Sequence, residues 1–226
     1  GPGSVGRAYR RTLRVKDVLA ILLRNGLGDI ADALRREHHG GTEGPSLAPD
    51  AAGLSHAERI RRAIEELGPT FVKFGQIVSS RADSIPDEWL VELEKLQSNV
   101  PPFPYEDAAV IIERELGGPV AQLYETFERE PFAAASTAQV HRATLHDGTA
   151  VVVKVQRPNI DVTVKADLNV MRDLSRQISR KREWARDVDL KGLVNEFADN
   201  ILKELDYRNE ASNAQLLDYN MAGIEN

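Results

Sequence analysis

Residues 131–156, PFAAASTAQVHRATLHDGTAVVVKVQ, constrain this chain more than any other stretch. They predict a strand, a tight turn of small residues, a second strand over 138–145, a hairpin, and a third strand over 149–156. Both longer runs are rich in β-branched residues, which suit a pleated, half-buried surface. Asp147-Gly148 between them is the dipeptide of a two-residue hairpin with positive φ. Lys154 alternates with Val153 and Val155, so its side chain leaves the opposite face of the strand from theirs. An ammonium on so apolar a strand needs an anion nearby, because an unpaired buried charge costs several kcal/mol or changes protonation.

That order of elements is the order of a kinase amino-terminal lobe, where a loop covers nucleotide phosphates and a third-strand lysine contacts them. The usual glycine-rich loop is absent, and Ala133, Ala134, Ala135 and Ser136 stand in its place. Alanine keeps the loop small but closes most conformations with φ > 0, so a stiffer loop that holds phosphates differently is expected. AAAS followed by VVVKVQ resembles the UbiB family of atypical kinases, also called AarF-domain-containing kinases. Taken without that resemblance, the same residues read as a β-hairpin carrying a structural lysine.

The chain has 226 residues, room for one large domain or two small ones. Hydrophobic residues make up 42%, enough for a core, and a net charge of −6 argues against general nucleic-acid binding. With no cysteine, disulfides and thiolate metal sites are excluded. No apolar run approaches the ~20 residues that span a bilayer, and no signal peptide is expected. Residues 1–4, GPGS, look like the remnant of a cleaved purification tag and are set aside.

Residues 5–37 form a segment that is basic at its start and amphipathic beyond, with Val18, Leu19, Leu22, Leu23, Leu27, Ile30, Ala31 and Leu34 at helical spacing. It suits a helix packed on its own domain or, alternatively, one lying on a membrane surface. Residues 26–31 match the dinucleotide pattern GxGxxA, but no βαβ unit surrounds them. Residues 38–54 read as a flexible linker, and His38 and His39 have no partners at metal-ligand spacing. Ser55 and Glu58 predict a capping box, and Gly68-Pro69 predicts a helix break followed by a new start. Further helices are expected over 85–98, 105–116 and 120–124, the second stopped by Gly117-Gly118. A long helix is expected over 160–182, and a last one from 190 on that carries Leu193, Phe197, Ile201 and Leu205.

In residues 70–83, TFVKFGQIVSSRAD, Phe71, Phe74 and Val78 share a helical face while Lys73 and Gln76 point elsewhere. Gly75 lowers helix propensity by ~1 kcal/mol, which makes sense where something approaches the backbone closely. Lys73 and Gln76 alone read as ordinary solvated residues. Lys-x-Gly-Gln with the segment after it resembles the KxGQ signature of the UbiB family, and the resemblance implies a helical extension over 55–124 that folds across the kinase site. It also implies an acidic ExD motif at Glu204 and Asp206 that engages this segment, a glutamate partner for Lys154 at Glu210, and an inserted helix at 160–182. Regular helix geometry places Glu204 and Asp206 about 200° apart, so both meet one lysine only at a helix end or distortion. The plainer reading of Glu204 is a solvated pair with Arg208.

The fold class expected is therefore α+β: a protein-kinase-like N-lobe over 125–226, with a small antiparallel sheet and a regulatory helix, preceded by the KxGQ extension. No carboxy-terminal lobe is expected within the chain. The nucleotide-contacting candidates are Ala133, Ala134, Ala135, Ser136, Lys154 and Glu210; the regulatory ones are Lys73, Gly75, Gln76, Glu204 and Asp206. The resemblance implies ATP or ADP with Mg as cofactor of the whole protein and a role in isoprenoid-quinone or lipid metabolism. It points to a cytoplasmic protein, peripheral to a membrane or anchored outside this chain, with nucleotide, a lipid surface or quinone-biosynthesis proteins as partners. A noncatalytic module that binds a partner or membrane surface is the alternative. No catalytic residue or metal ligand is assigned here: His141-Arg142-Ala143 falls in a strand and Lys73-Phe74-Gly75 in a helix, so neither supplies the kinase aspartates. Accordingly, these 226 residues should release no phosphate from ATP in a coupled assay. Magnesium-dependent turnover abolished by Lys154→Ala would contradict that expectation.

Overall fold

The computed structural model describes residues 2–39, 53–81 and 85–206. Two helices open the chain, α1 (Pro2–Arg24) and α2 (Gly28–His39). They part at Gly26, whose φ of 69° costs glycine nothing. The GxGxxA match thus occupies a helix-to-helix turn. Helix α1 runs back through the tag-like residues to Pro2, and His38 and His39 belong to α2 rather than to the linker. Residues 40–52 of that linker lie outside the described residues.

Helix α3 (His56–Leu67) begins with the capping box: Ser55 Oγ accepts from the Glu58 N–H at 3.1 Å, and Glu58 Oε2 accepts from the Ser55 N–H at 2.8 Å. Gly68, at φ 102°, separates it from α4 (Pro69–Ser79), which starts on proline. Helix α5 (Asp87–Leu93) is shorter than the predicted 85–98. Leu96 is needed outside a helix: its side chain is buried over Gly75, and its carbonyl accepts from Gln76 Nε2 at 3.0 Å. Helix α6 (Tyr105–Leu116) stops at left-handed Gly117, and α7 (Val120–Leu123) leads into the sheet.

Strands β1 (Thr126–Phe127) and β2 (Ala133–Ala134) both pair antiparallel with one edge of β3 (Ala138–Thr144), and β4 (Ala150–Gln156) pairs with the other. They are two pieces of one edge strand, with residues 128–132 bulging between. The β3–β4 hairpin has a three-residue loop rather than the predicted two. Gly148 N–H donates to the Leu145 carbonyl at 2.9 Å, and of His146, Asp147 and Gly148 the glycine alone has positive φ. Asp147 is held on the right-handed side by its own side chain, which accepts from the Thr149 N–H at 2.9 Å.

The sheet is one-sided. Val151, Val153 and Val155 share a face with Gln139, His141 and Ala143. Helices α6 and α7 cover that face through Phe103, Ala108, Ile112, Val120 and Tyr124. On the other face, Ala138 is buried and Gln156 meets the end of α10, while Arg142, Val152 and Lys154 are exposed.

A second, larger core is built on α8 (Ile160–Lys181), followed by α9 (Glu183–Asp187) and α10 (Leu190–Glu204). Helices α1, α2, α4 and α10 pack around α8. The predicted face of α4 divides: Phe71 and Phe74 join this core, whereas Val78 packs with Val72, Leu93 and Leu96. The buried stripe of α10 is Val194, Phe197, Ala198 and Ile201, shifted from the predicted one at Leu193. Helix α10 ends at Glu204 with Leu205 as its cap. The expected single acidic helix through Glu204, Asp206 and Glu210 therefore stops at the first of the three, and Glu210 lies outside the described residues.

The charged look of α8 concealed its position at the centre. Asp167 is 2% exposed and accepts from Arg14 Nε at 2.6 Å, while Arg14 Nη2 donates to the Leu67 carbonyl at 2.5 Å. Burial pushes the Asp167 carboxyl above the usual carboxylate range, against the opposing pull of Arg14 and of the Thr70 hydroxyl. Removing Arg14 strands that carboxylate. Arg14→Met should cost roughly 3 kcal/mol at neutral pH by urea denaturation. A carboxyl whose folded pKa is raised contributes most below its unfolded pKa, and that contribution is lost as pH rises through the folded value. The deficit of the variant should therefore shrink as pH is lowered through the raised folded value of Asp167, where the carboxyl takes up a proton.

Candidate functional site

Register places the alanine loop and the strand lysine on common ground. Ala133 opposes Val140, and Val140 opposes Lys154, so the three form one cross-strand row on one face. Adjacent strands lie about 4.8 Å apart, which puts the Ala133 and Lys154 backbones about 10 Å from each other. Ala133, Ala134 and Ala135 are exposed and Ser136 is half-buried. Lys154 is itself exposed, so the burial cost expected from its apolar neighbours does not arise. Its predicted partner, Glu210, lies outside the described residues.

Of the predicted regulatory residues, Lys73 and Glu204 meet. Lys73 Nζ lies 2.5 Å from Glu204 Oε2, and the other oxygen of the same carboxylate accepts from Thr137 Oγ1 at 3.3 Å. Next to it, Gln156 Nε2 donates to the Leu205 carbonyl at 3.0 Å. The end of α10 is thus tied to helix α4 on one side and to Thr137 and strand β4 on the other. Gly75 and Gln76 do not reach this carboxylate; both serve Leu96, Gly75 by having no Cβ to overlap its side chain and Gln76 through its amide. Asp206 lies beyond the helix, its N–H donating to the Lys203 carbonyl at 3.1 Å. A second bridge, Arg81 Nη2 to Glu196 Oε2 at 2.8 Å, ties the chain just past α4 to α10, eight positions after Lys73 and eight before Glu204.

Buried polar groups fix the surroundings. Gln139 accepts from the Phe103 N–H at 2.8 Å and donates to the Phe103 carbonyl at 3.2 Å, pinning the connector before α6 as a neighbouring strand would. His141, fully buried, sets Nδ1 against the Glu128 carbonyl at 2.9 Å and Nε2 against the Gln139 amide at 3.0 Å. An acceptor on one side and a donor on the other suit the tautomer with its proton on Nδ1. Thr137, Gln139, Gln156 and Arg157 were missed as site residues, because single polar residues inside strand runs carry no spacing signal.

A small one-sided antiparallel sheet, an alanine turn, and a lysine in register with it define a kinase-like amino-terminal lobe. Residues 95–226 match the model of the ABC1 atypical kinase-like domain, and the chain belongs to that family, matching the amino-terminal part of its UbiB members. "Probable protein kinase UbiB" of Marinobacter nauticus is 45% identical over 164 residues, 73% of this chain and 30% of that protein. The protein of the same name from Pseudomonas paraeruginosa is 44% identical over 170 residues, covering 75% of this chain and 32% of that protein. "Uncharacterized protein sll1770" of Synechocystis is 44% identical over 167 residues, covering 74% and 28%. The chain therefore spans less than a third of these relatives' length. A solved chain titled "The complex structure of Rv3197-erythromycin from Mycobacterium tuberculosis" shares 29% identity at a TM-score of 0.40, over 67% of this chain and 40% of that one. No helix among the described residues is long and apolar enough to cross a membrane.

The Lys73–Glu204 pair is one-third exposed on each side, so it belongs with surface bridges rather than buried ones. A double-mutant cycle with Lys73→Met and Glu204→Gln should give a coupling of about 0.5–1 kcal/mol. The single changes should be unequal. Lys73→Met leaves the carboxylate without that cation at a helix C-terminus, where the helix dipole disfavours it, and should cost more than Glu204→Gln. Urea titrations of the three variants measure both effects.

Proposed function

We propose that this chain is the amino-terminal part of an atypical kinase-like ATPase. The nucleotide phosphates lie over Ala133, Ala134, Ala135 and Ser136, and Lys154 neutralises them from the same face. Glu210 is the proposed anionic partner that orients Lys154 in kinase order. The observation that carries the reading is the row Ala133–Val140–Lys154, which sets a small-residue turn and a cation on one face. The residues fit such a ligand: exposed alanines admit close approach to the backbone, and the exposed Lys154 stands in register with them. Nucleotide would arrive as its magnesium complex; no residue of this chain is assigned to the metal.

In this reading helix α4 is a cover. Lys73 holds Glu204, Glu204 holds Thr137, and Thr137 directly follows the alanine turn, so the helix reaches the phosphate side through two polar contacts. The carbonyl of Leu96, held by Gln76, and the side chain of Leu96, seated over Gly75, keep the segment after α4 in place. The whole protein, like relatives named UbiB, is proposed to act in isoprenoid-quinone or related lipid metabolism.

Titration with a fluorescent ADP analogue tests the assignment. Saturable binding should weaken about tenfold in Lys154→Ala, the worth of one charge-assisted contact. Lys73→Met, which loosens the cover, should leave binding equal or tighter. Absence of binding would favour the noncatalytic module that docks a partner or membrane surface.

A further inference from the structure

Arg157 holds the alanine loop from behind, and none of the roles above uses it. Its backbone N–H donates to the Thr137 carbonyl at 2.8 Å. Its Nη2 donates to the Ala135 carbonyl at 3.2 Å and to the Pro101 carbonyl at 2.9 Å. The guanidinium also lies over the ring of Phe103, 5.3 Å from its centroid, and Nε is buried without a partner. Phe103 is itself pinned at both backbone groups by Gln139, so the platform under the guanidinium is rigid. Pro158 follows, and a residue before proline is confined to extended conformations. The backbone that aims Arg157 is therefore set by the covalent chain.

One residue thus binds two carbonyls of the loop, those of Ala135 and Thr137. None of the described peptides is cis, so across each planar trans peptide the carbonyl and the following N–H point in opposite directions. Turning the Ala135 carbonyl toward Arg157 turns the Ser136 N–H away from it. Alanine cannot reach the φ > 0 states through which glycine loops collect several N–H groups around a phosphate. A loop of alanines needs an external tie to hold its amides in one orientation.

We infer that Arg157 is a positioning residue for the phosphate loop, holding the Ala135–Ser136 peptide so that the Ser136 N–H faces bound phosphate. This rests on the nucleotide reading above. Among the described residues, the acceptors of Arg157 are neutral carbonyls and its stacking partner is an aromatic ring, so none of these contacts neutralises its charge beside the loop. A polyphosphate close by would meet that charge as well as the amide. Lysine cannot reproduce the geometry, because an ammonium has no planar group to lie on the Phe103 ring while its terminal nitrogen meets both carbonyls.

The test is a titration of the chain, Arg157→Ala, Arg157→Lys and Lys154→Ala with ADP and, separately, with adenosine, with thermal melts alongside. Arg157→Ala should bind ADP about tenfold more weakly, the worth of one amide-to-phosphate hydrogen bond, and adenosine unchanged. Arg157→Lys should fail to restore ADP binding although it keeps the charge and the fold. Equal losses for ADP and adenosine would overturn the proposal, since a merely structural residue affects both alike. Full rescue by lysine would also overturn it, leaving a point charge rather than a tie. If ADP binding falls in Lys154→Ala but not in Arg157→Ala, the positioning role fails while the nucleotide reading stands. If neither variant, nor the unaltered chain, distinguishes ADP from adenosine, the nucleotide reading fails and the positioning role with it.

Discussion

The carboxylate of Glu204 is where the two halves of this structure meet. One oxygen is taken by Lys73 of α4 and the other by Thr137, the residue before β3. The apolar cores on either side are separate: one is centred on α8, the other lies between the sheet and helices α6 and α7. Burial of apolar surface is non-directional and sets each body's stability. A one-third-exposed ion pair is worth about 1 kcal/mol at most and sets only their relative placement. Polar contacts, Lys73–Glu204 and Glu204–Thr137, do this joining, while each core keeps its own apolar burial.

Small residues decide how closely things approach around that junction. Leu96 can seat over α4 because Gly75 has no Cβ, and the same absence weakens the helix locally. The alanine turn leaves the edge of the sheet open, where branched side chains would cover the backbone. In both places the side chain that is missing matters as much as those present, and a hydrophobicity pattern registers neither.

Some elements were readable because their causes are local. The Ser55–Glu58 box, the Gly68-Pro69 break and the left-handed stop at Gly117 each depend on residues within one turn of each other. Alternation along residues 138–156 gave both long strands and the face of Lys154, since a period of two leaves no freedom once one face is buried. The length of α5 was misread because Leu96 is claimed by a helix twenty residues earlier, which no window along the chain reveals. The hairpin was misread by one residue because Asp147 bonds its own backbone and leaves positive φ to Gly148 alone.

By itself, the sequence determined the order of most helices, both long strands and the face of Lys154, since each follows from sterics and periodicity within a few residues. Tertiary structure alone decided which charges meet. Arg14 and Asp167 are 153 positions apart, and Lys73 and Glu204 are 131. Ion pairs carry no periodic signature, and a charged residue looks the same in sequence whether solvated or buried. Burial distinguishes them: it makes Asp167 dependent on Arg14, leaves Lys73–Glu204 a surface contact, and sets Arg157 behind the alanine loop. These placements arise only once the two cores have formed and brought distant segments within hydrogen-bond reach.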